Sequence, residues 1–366
     1  MGLHRIMPCS AVFFLCLAEI MPGLAWAETP RFRDPLDVPA EITARASTSM
    51  MLAVAAAGDR LVAVGELGRI VLSNDNGRSW TQVASPVSTT LVAVQFPTWR
   101  DGWAVGHGGV ILHTADGGQT WIRQLDGRSS EALLRKHYGR LRDAGDAKAT
   151  RILEAMDLNY QNGPELPLLG VWFRTAQEGF AVGAFGMVLA TRDGGNNWEP
   201  WLDRIDQVDD LHLTAVAGIG DRVFITGEMG RIWRLDTNAG RFVPCTTPYE
   251  GTLFGITGQG ERLIAFGLRG NAVLSTDGGE RWTGLDLPAQ GDSINNATSL
   301  GNDKLALVTQ GGRLLIGGID GTGFAVQPVR TPTLLTSVVP AGADTVVVTG
   351  LSGVWREPIV QNNVRR

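Results

Sequence analysis

Cysteine is too scarce here for a disulfide framework. Cys9 and Cys16 fall in an N-terminal segment that reads as a leader, which leaves Cys245 alone. A single cysteine is expected to act as a small buried hydrophobe. Histidine is sparse too. His107, His113, His137 and His212 show no His-Glu-x-x-His spacing, so neither a metal nor a cofactor is expected. There is no Gly-x-Ser-x-Gly elbow, and no glycine turn is followed by Gly-Lys-Ser/Thr, which excludes the common nucleophile elbow and the phosphate loop. Basic excess is missing as well: the net charge of −5 gives no nucleic-acid footprint. No apolar run is long enough to span a bilayer as a helix.

The most apolar stretch, about Ala11 to Leu17, follows Met1-Gly2-Leu3-His4-Arg5 and precedes Ala25-Trp26-Ala27. A basic start, a short apolar centre and an Ala-x-Ala end predict a secretory signal peptide over residues 1–27. The mature chain, 28–366, is then expected in the periplasm, not membrane-spanning, and a monomer.

What is abundant is glycine, 47 residues, together with 11 tryptophans. Many of them belong to one recurring phrase, Ser/Thr-x-Asp-x-Gly-x-x-Trp. It occurs with Asp75 and Trp80, Asp116 and Trp121, Asp193 and Trp198, and Asp277 and Trp282. Each copy ends a unit of short apolar runs, in the order strand A, strand B, a Gly-x-x-Gly turn, strand C, the Asp box, strand D. The second glycine of the turn falls at Gly68, Gly109, Gly186, Gly230, Gly270, Gly312 and Gly353, with Thr309 in place of the first glycine in the sixth copy. Five of the six steps lie between 40 and 44 residues, the length of one four-stranded propeller blade, and the other is 77. Weaker copies persist at Asp236–Phe242 and Asp320–Phe324. The last unit ends after strand C, so the segment from about Leu36 to Arg45 is expected to supply a closing strand, although Pro39 argues against it. The predicted fold is all-β: a seven-bladed β-propeller with a helical-hairpin insertion between blades 2 and 3. The Asp carboxylates are expected to hold turn amides, and the tryptophans to pack between blades. They are structural residues.

These features resemble the photosystem II assembly-factor family of seven-bladed propellers, and the same Asp-box turn occurs in sialidase-type BNR repeats. Asp101-Gly102-Trp103-Ala104-Val105-Gly106 and Glu178-Gly179-Phe180-Ala181-Val182-Gly183, each followed by an Asp-box hairpin, carry the likeness. It covers nearly all of the chain from Leu52 to Pro358. It implies a non-enzymatic assembly factor that binds protein partners outside the cytoplasm.

The long step holds residues 127–164, where composition shifts to helix formers. Leu134, Tyr138 and Leu141, then Ile152, Leu153 and Met156, repeat at helical spacing. Ser129 and Ser130 are candidate caps, and Gly145 is the break between two helices. The insertion joins strand D of one blade to strand A of the next, so it should share a face of the disc with the Gly-x-x-Gly turns. Those turns carry Arg69, His107, Arg231, Arg269 and Arg313, and the insertion carries Arg135 and Arg140. Planar guanidinium groups on one face suit carboxylates or an acidic peptide, unless Glu66 and Glu228 pair with them first. The expected partner is a protein of the envelope, a membrane complex or a transporter. The competing readings are a sialidase-like glycoside hydrolase and a carbohydrate-binding propeller. Sialidase chemistry uses a tyrosine nucleophile. Tyr138 and Tyr160 lie in the insertion, and Tyr249 with Glu250, if on a strand, would point to opposite faces.

Overall fold

Strand B of each blade is an uninterrupted apolar run, as in Arg60–Gly65 (RLVAVG) or Arg262–Gly267 (RLIAFG), and nearly every residue in it is buried. Such a run suits a strand flanked by two others in its own sheet and covered on both faces by neighbouring sheets. The computed structural model, which describes residues 32–161, 163, 166–206 and 210–360, places these runs so. The expected leader, 1–27, lies outside the described residues. Contacts divide the chain at Arg33 and Asp34, and the propeller is the unit that begins with Asp34.

Among the described residues there are seven antiparallel sheets, six of four strands and one of three, each in simple chain order. The A strands are Met51–Ala57, Leu91–Gln95, Leu168–Phe173, Leu213–Ile219, Leu253–Gln259, Ile294–Gly301 and Leu335–Pro340. Each packs beside the next, and the seventh beside the first, around the centre of the ring. This is a seven-bladed propeller.

The seams between blades hold the core. Trp121 of blade 2 packs with Val62, Val64 and Leu72 of blade 1. Trp282 of blade 5 packs with Ile219 and Phe224 of blade 4. Trp198 of blade 3 meets Phe173 edge-on at 6.0 Å, and Phe173 stacks on Trp103 of blade 2 at 3.5 Å. The Asp-box tryptophan thus reaches back to the preceding blade. The Asp box itself is a closed hydrogen-bond ring. Asp75 Oδ1 accepts from the amides of Arg78 and Ser79 at 2.9 Å, and Ser79 Oγ donates to Oδ2 at 2.6 Å. Gly77 N donates to Ser73 Oγ at 2.8 Å.

The N-terminal segment does not close the ring with a strand. Pro35–Asp37 and Ala46–Thr48 are short 3-10 turns, and the seventh sheet keeps three strands. Proline cannot donate to a ladder, and Pro35 precedes and Pro39 interrupts the stretch that would have to do so. Closure comes from packing instead. Met51, Val54 and Ala63 of blade 1 share a cluster with Val339, Val347 and Val354 of blade 7. Thr336 Oγ1 also donates to Met51 O at 2.8 Å.

Helix α1 runs Gly127–Asp143 and helix α2 Ala147–Asn159. The cap of α1 is Asp126, with Ser129 in the reciprocal position of a capping box, so Ser129 and Ser130 are not the caps. The helix starts earlier than the two serines suggest because the carboxylate of Asp126 takes the Ser129 amide at 3.0 Å. Gly145, at φ +94°, turns the chain between the helices.

Candidate partner-binding face

The Gly-x-x-Gly turns are built by close approach. A Cβ on Gly65 would lie 2.3 Å from Met50 O, and one on Gly68, at φ +69°, would lie 2.0 Å from Val87 O. Glycine is therefore required at both ends of the turn. Between them the chain makes one tight turn whose second residue takes positive φ even without glycine: Leu67, Phe185, Met229 and Arg269. This geometry thrusts side chains outward. Leu67 and Met229 are more than half exposed, and Leu268 and Leu351 of two other turns are exposed as well. These exposed apolar side chains do not stand out in the sequence, where charge draws the attention. The available signal was a large side chain where a tight turn usually wants glycine.

The helical arm stands on the same face. Gly127, the first residue of α1, packs against Gly109 of the blade 2 turn. Leu134 and Tyr138 are fully buried and Met156 nearly so, in one cluster with Val171 and Met187 of blade 3. Polar contacts fix the arm further. Tyr138 Oη donates to Asp203 Oδ1 at 3.0 Å and accepts from Leu202 N at 2.9 Å. Lys148 Nζ donates to Asp203 O at 2.6 Å. At the base, Arg128 makes a two-pronged pair with Asp37 at 2.8 and 2.9 Å and reaches Asp126 at 2.9 Å. That contact, chiefly the Arg128 hydrogen bond, holds the Asp37 carboxyl down at about 2. The apolar stripes are thus spent on packing, and of the arm's bases Lys136, Arg140, Arg142 and Arg151 are exposed.

A cavity of about 270 Å³ lies between α2 and the blade 3 turn. Its lining includes Ile152, Met156, Tyr160, Phe185 and Met187, with Arg151 beside them.

The expected arginines have different fates. Arg69 is mostly buried and pairs with Glu66 at 2.9 Å. Arg313 pairs with Asp292 and donates to Gln290 Oε1 at 2.7 Å. Arg135 is held between Glu131 and Asp157, both at 2.7 Å. Arg231 and Arg269, on the adjacent blades 4 and 5, are exposed, and among the described residues neither guanidinium has a partner. Glu228, the acid that could have taken Arg231, instead accepts from His212 N at 2.7 Å. His107 and Arg140 are exposed, with Arg140 Nε donating to Lys136 O at 3.3 Å.

Tyr249 lies in the connection between strand D of blade 4 and strand A of blade 5, so strand alternation does not apply to it and Glu250. Its hydroxyl donates to Leu268 O at 3.1 Å, and burial pushes its pKa up. Cys245 is half-buried, and burial raises its thiol to about 11. No His, Cys, Asp and Glu group among the described residues could hold a metal ion. No described helix is long and apolar enough to cross a membrane.

Comparison with known proteins agrees with this architecture. The family model described as photosynthesis system II assembly factor YCF48 matches residues 72–135. The chloroplastic photosystem II stability/assembly factor HCF136 of Guillardia theta is 45% identical over 49 residues, 13% of this chain and 12% of that protein. The HCF136 protein of Cyanidioschyzon merolae is 28% identical over 181 residues, 43% of this chain and 39% of its own length. The matched stretches therefore span well under two thirds of those relatives. Among solved structures, YCF48 bound to D1 peptide superposes with a TM-score of 0.62 at 15% identity, covering 88% of this chain and 97% of that one. A virginiamycin B lyase of Staphylococcus aureus gives 0.65 at 9% identity, covering 88% and 99%. At such identities both show the fold alone.

Proposed function

We propose that this photosystem II assembly factor-like propeller is a binding protein, without catalysis, that docks an acidic segment of a protein partner on its arm-bearing face. One observation carries the reading. Arg231 and Arg269, unpaired and exposed on neighbouring blades, stand beside the exposed apolar side chains of Met229 and Leu268. Unpaired guanidinium forks seek carboxylates, and exposed apolar groups at their side add area to bury. The Tyr249 hydroxyl donates to the Leu268 carbonyl and not to a carboxylate that could act as its base, which speaks against a hydrolase. In support, a neighbour of the same fold has been seen with a peptide bound. The leader-like pattern at 1–27 and the likeness to assembly factors favour a periplasmic site of action on a membrane complex of the envelope.

The test is affinity capture from envelope extract with the chain and with Arg231→Ala/Arg269→Ala. Loss of the captured partner from the variant, and its release from the unaltered chain as salt rises, is the expected result, because exposed charge pairs are screened. Retention of every partner by that variant and by one lacking residues 128–163 would refute this face.

A further inference from the structure

The seventh blade is open on its outer side. Its last strand, Gly353–Pro358, pairs with Thr345–Gly350, and among the described residues no other backbone bonds to it. In each of the other six blades a fourth strand occupies the corresponding position. At the open edge lies a groove of about 640 Å³, lined by Arg78 and Trp80 of blade 1, by Trp355 and Arg356 of blade 7, and by Arg330 from the loop that enters blade 7.

Two kinds of unmet bonding meet in this groove. One is the free edge of a six-residue strand, which is a template for another strand. The other lies behind the lining, where Trp80 Nε1 and Arg356 Nε, and on the same strand Glu357 Oε2, are buried without a partner. The indoles of Trp121 and Trp282 donate to Gly118 O and Gly279 O at 2.9 and 3.2 Å, whereas that of Trp80 does not (nor does that of Trp198). Buried groups of this kind are normally satisfied.

Charge selects the occupant. Arg78 and Arg330 are exposed and Arg356 is half-buried, and among the described residues none of the three has an ion pair. The acid of this strand, Glu357, is fully buried, and its Oε1 accepts from Arg330 N at 3.0 Å and Trp355 Nε1 at 2.7 Å. Residues 361–366 include Arg365 and Arg366 and no acid, so their charge opposes entry. We infer that blade 7 accepts an extended acidic segment of a partner protein as its fourth strand. Its main chain pairs with Gly353–Pro358, and its carboxylates meet the three arginines. The groove shares no residue with the face proposed above, so either site can fail without the other.

The probe is a fluorescein-labelled octapeptide of alternating valine and glutamate, with a valine–lysine peptide as its counterpart. Polarisation is expected to rise saturably with the acidic peptide, and amide exchange across 353–358 to slow. Arg78→Glu/Arg330→Glu should weaken binding by roughly tenfold or more with an unchanged circular dichroism spectrum, as should replacing glutamate by lysine in the peptide. Absence of binding, or binding indifferent to charge reversal, overturns the proposal. It is also overturned if amides 353–358 are protected in the free chain and become labile on deleting 361–366, since the chain's own end would then fill the groove.

Discussion

The aspartate that recurs in each Asp box is held there by local bonding. The Asp-box carboxylates show how firmly. The side-chain and backbone bonds from Ser79 and the bond from Ser73 lower the pKa of Asp75, and Asn197 and Thr191 do the same for Asp193. A carboxyl whose pKa is depressed on folding adds stability that is complete above its unfolded value and is lost as pH falls through the folded one. Urea denaturation midpoints are therefore expected to be steady at mildly acidic pH and to fall below about 4. An Asp75→Asn/Asp193→Asn variant should be less stable at neutral pH and should lose less on acidification. A decline as steep as that of the unaltered chain would show that these carboxyls do not carry it. The identity of the Asp-box residues was legible in the sequence because every bond to their carboxylates spans at most four positions. The fate of the arginines was not legible. Arg69, Arg231 and Arg313 occupy one repeat position, yet two are paired and one is free. Arg69 takes Glu66, three positions away in its own turn, whereas the other two depend on what folding brings: Asp292 for Arg313, and a His212 that already engages Glu228 for Arg231.

At the scale of elements, the helical arm was readable as two amphipathic stretches with a glycine between them. Its start was misplaced, because cap preference alone does not separate Asp126 from two serines a turn later. The bonds from Asp126 to Ser129 and Arg128 decide it. Asp126→Ala removes the cap and an arginine partner together. It should lower stability by about 0.5–2 kcal/mol, seen as a lower denaturation midpoint with the sheet signal retained. An unchanged midpoint would mean that tertiary contacts alone hold α1. The exposed leucines and methionine on the glycine turns were missed for a related reason. A four-residue turn has no periodicity from which to read a face; Leu67 and Met229 are turned outward at positive φ, and Leu268 and Leu351 are exposed without it.

For the whole molecule, ring closure rests on side chains. Met51 is fully buried at the seam of blades 1 and 7, and Gly77 of the first Asp box lies against Val347 of the last blade. Met51→Ala should cost about 2–5 kcal/mol. If closure ties the blades into one cooperative unit, tryptophan fluorescence and far-ultraviolet circular dichroism will still report a single shared transition. Separate transitions would show that the ring opens at this seam before the other blades unfold. The sequence by itself determined the number of blades, their strand order, the Asp-box turns and the place of the insertion, since each follows from a short pattern repeated at a fixed period. Tertiary structure alone decided how the ring closes, which arginines stay free, which apolar side chains the glycine turns expose and which blade keeps an open edge. Those features depend on contacts between residues distant in the chain, such as Thr336 with Met51 or Arg128 with Asp37, and a local pattern carries no record of a neighbour that only folding supplies.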